Sequence, residues 1–290
     1  MSTMLSFANN NLSNNFLTKD ELRHACPSAF SNGPTNPQVS DRYVHANTMT
    51  VVDDLAKLGW YPVEAKQCRA KKNSSGIRSF HMLAFQNPDV KIIKDNGSGI
   101  QTVDAYPRII LTNSHDGFNS FKFMVGLFRL VCSNGLCVSD GEFENVSIRH
   151  INYDFETLRL VVTNAIKRVP DIVCTMNTMR KVETTEETRR ALATEVAKIR
   201  KGVEADEKFD IDEATIMDIL SPVRDEDNAN DLWTVFNVCQ EKMIKGGYSS
   251  IGKNNKARRQ RGITSIKKDL EYNQRLWAFA MQWVPATAEA

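Results

Sequence analysis

The chain has no apolar run approaching the roughly 20 residues that a bilayer-spanning helix needs, so a transmembrane protein is not expected. Its first residues, MSTMLSFANNNLSNNF, lack a basic start followed by an apolar stretch, so no secretory signal is expected. Cysteine is scarce. Cys26, Cys68, Cys132, Cys137, Cys174 and Cys239 are six in 290 residues, too sparse for a secreted disulfide scaffold. Reduced thiols packed as small hydrophobes in a cytoplasmic protein are the expectation. Nucleotide fingerprints are missing as well. Neither Gly97-Ser98-Gly99 nor Gly246-Gly247 has the Lys-Ser/Thr of a P-loop or the third glycine of a dinucleotide site. The carboxylates of EADEKFDIDE (204–213) are not in EF-hand order and read as a solvated acidic face. No cofactor and no metal are expected.

What is present is an ordinary globular balance, 41% hydrophobic and 25% charged residues, in a chain long enough to bury a core without staples. The net charge of +2 conceals segregation. Ala65 to Pro88 holds five bases and no acid, and Lys242 to Lys268 holds nine bases and no acid. Val182 to Asp231 holds 15 acids against 7 bases. Acid-free basic segments are the electrostatic footprint of a polyanion partner, or else they neutralise acidic segments within the fold or between subunits.

Residues 1–39, rich in Asn, Ser and Pro, read as an irregular arm. The spacing of Met49, Val52, Leu55 and Ala56 predicts a helix closed by Gly59. WYPVEAKQCRAKK and IRSFHMLAFQ read as a hairpin, NPDVKIIKDNGSGIQTVDAY as mostly loop, and YPRIILTNSHDG as a third strand. FNSFKFMVGLFRLVCSNGL is apolar on most faces and reads as a second helix stopped by Asn134-Gly135. The expected fold class is therefore α+β. A helix, three-stranded antiparallel meander and helix form a core domain over 40–150, and a mainly helical region follows over 151–284. In that region a long helix is expected to break or kink at Pro170. Thr184-x-x-Glu187 is expected to open the next helix, a basic loop occupies 246–262, and 285–290 form a frayed tail.

Three constellations have chemical readings. Cys132 and Cys137 lack the second ligand pair of a zinc site and an assignable base, so they read as a buried helix terminus rather than a thiol or metal centre. His115-Asp116-Gly117 reads as a turn with an Asp cap, not an acid–base pair. Arg129, inside an apolar run, needs Asp116, Asp140 or a phosphate as partner. No catalytic residue and no enzymatic activity are expected.

The better signal is for nucleic acid. Lys66, Arg69, Lys71, Lys72 and Arg78 are interleaved with Trp60, Tyr61, Phe80 and Phe85 in the hairpin. Phosphate neutralisation combined with aromatic stacking is how single strands are held without sequence preference. The loop GKNNKARRQRG adds Lys253, Lys256, Arg258, Arg259 and Arg261, five bases in eleven residues. With Arg129 these are the expected nucleic-acid contacts, and Trp60, Tyr61 and Tyr248 the expected stacking residues.

SHDGFNSFKFMVGLFRLVCSNGL, LGWYPVEAKQCR with FHMLAF, and ARRQRGITSI with YNQRLWAFA resemble the phage- and plasmid-associated domain of unknown function 932 over roughly residues 40–284. That resemblance implies a mobile-element origin more firmly than a reaction. The expected element order is also similar to the core of single-strand annealing proteins. That likeness implies single-stranded DNA as partner in recombination, annealing or replication, and a homo-oligomeric ring or filament; the charge segregation adds the expectation that an acidic segment meets a neighbour's basic one. The alternative is a phage protein–protein interaction factor that inhibits or redirects a host protein.

Overall fold

The computed structural model describes residues 2–7, 16–36, 39, 43, 45–68, 79–95, 101–119, 121–129, 134–137, 154–204, 207, 209–251 and 256–285. It is an α+β protein. Strands β1 (Ser2–Phe7), β2 (Tyr61–Gln67), β3 (His81–Gln86), β4 (Val90–Asp95), β5 (Gln101–Asn113), β6 (Lys122–Arg129) and β7 (Asn134–Cys137) form one antiparallel sheet. Helices α1 (Lys19–Ala25) and α2 (Thr48–Lys57) precede β2. Helices α3 (Phe155–Lys181), α4 (Glu186–Lys201), α5 (Glu213–Leu220), α6 (Leu232–Lys245) and α7 (Ile266–Ala280) make up the helical C-terminal region. A small hairpin, β8 (Ser249–Ile251) with β9 (Ala257–Arg259), separates α6 from α7.

The long strand β5 organises the sheet. It pairs with β3 over 108–113, with β4 over 101–105 and with β6 over 105–112. The side-chain period of two sends alternate residues to opposite faces. Leu83, Phe85, Ile109, Leu111, Phe121 and Phe123 pack on one face with Val51, Leu55 and Trp60 from α2 and the segment after it. Met82, Ala84, Ile110 and Met124 pack on the other face with Ile266 of α7. Both faces are covered, so β3 is buried at every position and its sequence shows little polar alternation. Each large side chain buried here stabilises the fold by about 1.5–3 kcal/mol relative to exposure.

Several expectations change. The segment read as a second helix is β6 and its partner β7. Asn134-Gly135 pairs with Arg129 and Phe128 instead of stopping a helix, and Cys137 lies opposite Gly126. Phe121, Phe123, Val125 and Leu127 are all buried at every second position, which is the strand period. The expected loop after Pro88 contains β4 and the first half of β5. The arm is not irregular throughout. Residues 2–7 pair with β4, and α1 opens on a capping box in which Thr18 Oγ1 accepts from Glu21 N–H while Glu21 accepts from Thr18 N–H. α3 runs through Pro170 without interruption. A mid-helix proline costs about 3 kcal/mol, and burial of its neighbours Val169, Ile172 and Val173 offsets that. α4 is capped by Thr185 rather than Thr184, with Gly202 closing it at φ +70°.

The largest core joins the two regions. Ile92, Ala105, Val125 and Leu127 of the sheet share one apolar cluster with Val173, Met176, Val196, Phe236 and Trp277 of the helices. An ion pair beside this junction links them further: Arg180 Nη2 of α3 lies 2.6 Å from Asp104 Oδ2 of β5, with side-chain exposures of 10% and 5%. Removing one partner of a buried pair leaves an uncompensated charge. Asp104→Ala is expected to cost about 3–5 kcal/mol in urea denaturation, whereas removal of the exposed pair Lys19–Asp53 is expected to cost at most about 1 kcal/mol.

Candidate nucleic-acid interface

The β8–β9 hairpin is built on two glycines. Gly246 has φ +72°, and a Cβ there would lie 2.5 Å from the Gln260 carbonyl oxygen. Gly247 follows at φ +86°, and its N–H donates to the Gln260 carbonyl at 2.9 Å. Gln260 N–H returns the bond to the Tyr248 carbonyl at 2.8 Å. Ser249↔Arg259, Ser250↔Arg258 and Ile251↔Ala257 extend the ladder. In the segment expected to be a loop, residues 249–251 and 257–259 are therefore a pinned strand pair, and Arg258 and Arg259 are held at fixed register.

Beside it is a cavity of about 500 Å³ lined by Arg200, Arg258, Arg259, Arg261 and Lys268, together with Gln260, residues 262–265 and Tyr272. Five cations and no carboxylate face this space. Arg258, Arg259, Arg261 and Lys268 are exposed, as is Lys256 nearby. Arg200 is half-buried: Nη1 donates to the Met243 carbonyl and Nη2 to the Arg261 carbonyl at 2.5 Å, and its side chain also bonds to that of Tyr248. Its Nε is buried without a partner. A second cavity shares Arg200 and Gln260 with the first and includes Asp210 and Asp212 beside Tyr248 and Ser250.

The helix that supplies Lys268 is seated by charge. Lys66 Nζ lies 2.7 Å from Glu64 and 3.3 Å from Asp269, and Arg108 Nη1 lies 3.3 Å from Glu64. Burial pushes the Asp269 carboxyl up, with Lys66 opposing. Burial also brings the Arg108 guanidinium down to about 10, with Glu64 opposing. For Lys66, burial pulls its pKa down, but the two carboxylates outweigh that and leave it raised.

The expected contacts therefore divide. Lys256, Arg258, Arg259 and Arg261 lie together on or beside the hairpin. Lys66 does not join them, because its charge is held by Glu64 and Asp269. Trp60 and Tyr248 are each 1% exposed, inside apolar cores, so neither offers a face to a base. Tyr61 is 36% exposed but lies against Phe16, with ring centroids 4.8 Å apart. Arg69, Lys71, Lys72, Arg78 and Lys253 lie outside the described residues, as do Cys132 and Asp140. Arg129 ends β6 opposite Ala105 and Asn134. Sequence reasoning missed Arg200, which sits in the acidic stretch, and the contribution of Lys268 to the cation cluster.

His115 and Asp116 belong to a buried polar network. Asp116 Oδ1 accepts from Ser114 Oγ at 2.6 Å and from Phe118 N–H at 3.0 Å, the turn-capping role expected of it. His81 Nδ1 donates to the Ser79 carbonyl at 2.6 Å, so its Nε2 accepts from Thr48 Oγ1 at 2.9 Å. Burial favours this neutral ring. Burial lowers its pKa to about 4, against smaller opposing contributions from the Ser79 carbonyl and Asp116. The Cys26 and Cys239 thiols are pushed up to about 11 and 12 by burial, the opposite of an activated nucleophile.

The family described as domain of unknown function DUF932 matches residues 37–277. The chain is a member of the DUF932 family. Two relatives from Escherichia coli (strain K12), UPF0380 protein YafZ and UPF0380 protein YfjQ, are each 32% identical to it over 274 residues, covering 91% of this chain and 90% of theirs. No solved structure gave a significant match. The DUF932 match spans both the sheet and the helical region. The likeness to annealing proteins rested on a helix after the third strand, and β6 stands where that helix was expected. Among the described residues, no helix of this DUF932 member is long and apolar enough to cross a membrane.

Two measurements check this geometry. Gly246→Ala is expected to cost roughly 1–3 kcal/mol in urea denaturation, because a side chain at this φ is strained and meets backbone. Gly33→Ala, where nothing lies within 4 Å, is expected to be near neutral. The second measurement is pH dependence. The unfolded chain protonates His81 near pH 6.5 and the folded chain only near 4, so the unfolded state binds more protons between them. Stability is expected to be full above pH 6.5 and to fall by roughly 3 kcal/mol as pH drops to 4. A flatter profile is expected for His81→Gln.

Proposed function

We propose that this protein binds nucleic acid through its phosphate backbone, with single-stranded DNA as the partner, and works non-covalently in the cytoplasm during recombination, annealing or replication. One observation carries the reading: Arg200, Arg258, Arg259, Arg261 and Lys268 converge on one cavity that no carboxylate lines. Like charges gathered without counterions repel one another, and a polyanion relieves that repulsion while releasing its own condensed cations. Three of these cations, Arg258, Arg259 and Arg261, are arginines on or beside the hairpin, and their planar fork suits phosphate better than a lysine point charge. Two other basic positions of the same acid-free stretch are used within the fold. Lys242 lies 3.6 Å from Asp218 and Lys245 lies 3.0 Å from Glu241. What remains unspent is therefore local to the hairpin and the first turn of α7.

The test is a titration of fluorescent single-stranded DNA at several salt concentrations. The logarithm of affinity is expected to fall linearly with the logarithm of salt, by about 0.7 per phosphate contact. The triple variant R258A/R259A/R261A is expected to bind more weakly at low salt and to flatten that slope by about 2. These side chains are exposed, so the variant should keep its fold. Absence of binding to any single strand at low salt would sink the reading.

A further inference from the structure

The cation cavity accounts for phosphate contacts, and the one aromatic residue lining it, Tyr272, is only 7% exposed and offers little face to a base. One aromatic residue is unaccounted for. Phe118 is 76% exposed, the most exposed large hydrophobic side chain among the described residues. A ring so open to water has no packing role, yet its backbone is fixed. Phe118 N–H donates to Asp116 Oδ1, Asp116 also holds Ser114 Oγ, and Ser79 N–H donates to the second carboxylate oxygen at 3.4 Å. Ser114 and Asp116 are buried at 0% and 3% exposure, and Gly117 at φ +79° turns the chain outward between this anchor and the ring.

Phe118 lines a third cavity, about 410 Å³, between the sheet and α7. That volume lies within the range of small-ligand pockets. Phe80, Lys122, Lys267 and Gln274 also line it, with one carboxylate, Glu271. The Lys267 ammonium sits 5.2 Å from the centroid of the Phe80 ring, so a cation and an aromatic floor are already together there. Lys267 faces this cavity and Lys268 faces the cation cavity. They are consecutive residues of the first turn of α7, so the two cavities flank a single helix, about 10–12 Å across.

We propose that Phe118 is the base-stacking residue of this protein. The proposal rests on the phosphate-backbone reading above. A single strand whose phosphates lie along Arg258, Arg259, Arg261 and Lys268 crosses the first turn of α7 and lays a base on the Phe118 ring, with Lys122 and Lys267 beside its flanking phosphates. Bases in a duplex are stacked on one another and cannot do this, so the ring confers preference for single strands.

The experiment compares two labelled strands of about 15 nucleotides, near the upper end of single-strand site sizes. One is oligothymidine and the other has the same sugar-phosphate backbone without bases. The wild-type chain is expected to bind the base-bearing strand roughly 5- to 150-fold tighter. Phe118→Ala is expected to abolish that difference while leaving affinity for the abasic strand unchanged, and Phe118→Trp is expected to retain it. R258A/R259A/R261A should weaken both strands together. Equal binding of the two strands by wild type, or an undiminished preference in Phe118→Ala, overturns the stacking proposal and leaves the backbone reading standing. No binding of either strand at low salt overturns both.

Discussion

The candidate surface depends on how α7 is seated, and that is decided by four charges. Glu64 and Lys66 from β2, Arg108 from β5 and Asp269 from α7 form a neutral group at the edge of an apolar contact. Ile266 and Leu270 dock on Met82, Ala84, Ile110 and Met124, but apolar contact alone is non-directional. The ion group and the buried hydrogen bond from Gln240 Nε2 to Asn273 Oδ1, 2.7 Å, fix the rotation of the helix. That rotation sends Lys267 to one cavity and Lys268 to the other. The ion pairs between the sheet and α7 thus aim Lys267 and Lys268, and Lys66, whose side chain is 43% exposed, belongs to those pairs although its sequence context suggested a phosphate contact.

Much of this was legible in the sequence. The α+β class, the pairing of residues 61–67 with 81–86, and the helices α4 to α7 follow from periodicity, caps and glycine stops. The segment 121–129 was not, for a physical reason. A strand buried on both faces presents an apolar run with no polar alternation, and such a run fits a buried helix equally well. The alternation was present but subdued, with Lys122 the one charged residue among Phe121, Phe123, Met124 and Val125. Strand β1 was obscured by its Asn-rich surroundings. α1 announced itself through Thr18-x-x-Glu21, a capping signature the composition of the arm concealed.

The site was legible in charge and illegible in geometry. An acid-free stretch identifies surplus cations, and it cannot say which of them meet carboxylates from elsewhere in the chain. Lys242, Lys245 and Lys66 do, whereas Arg258, Arg259, Arg261 and Lys268 converge on one cavity. Arg200 came from the opposite case, a base inside an acidic segment that folding carries to the basic side. For aromatics the failure was one of burial. Trp60 and Tyr248 stand beside basic residues in the sequence yet point into cores. Phe118 stands in a turn whose Asp and Gly drew attention away from it.

The apolar cluster shared by the sheet and the helices has a consequence for how this chain can be divided. A cut near residue 150 would strip Ile92, Ala105, Val125 and Leu127 of their cover and leave α3 with a bare apolar stripe. It would also separate Arg180 from Asp104. The strand-rich and helix-rich halves therefore each cover apolar surface that the other alone would expose to water.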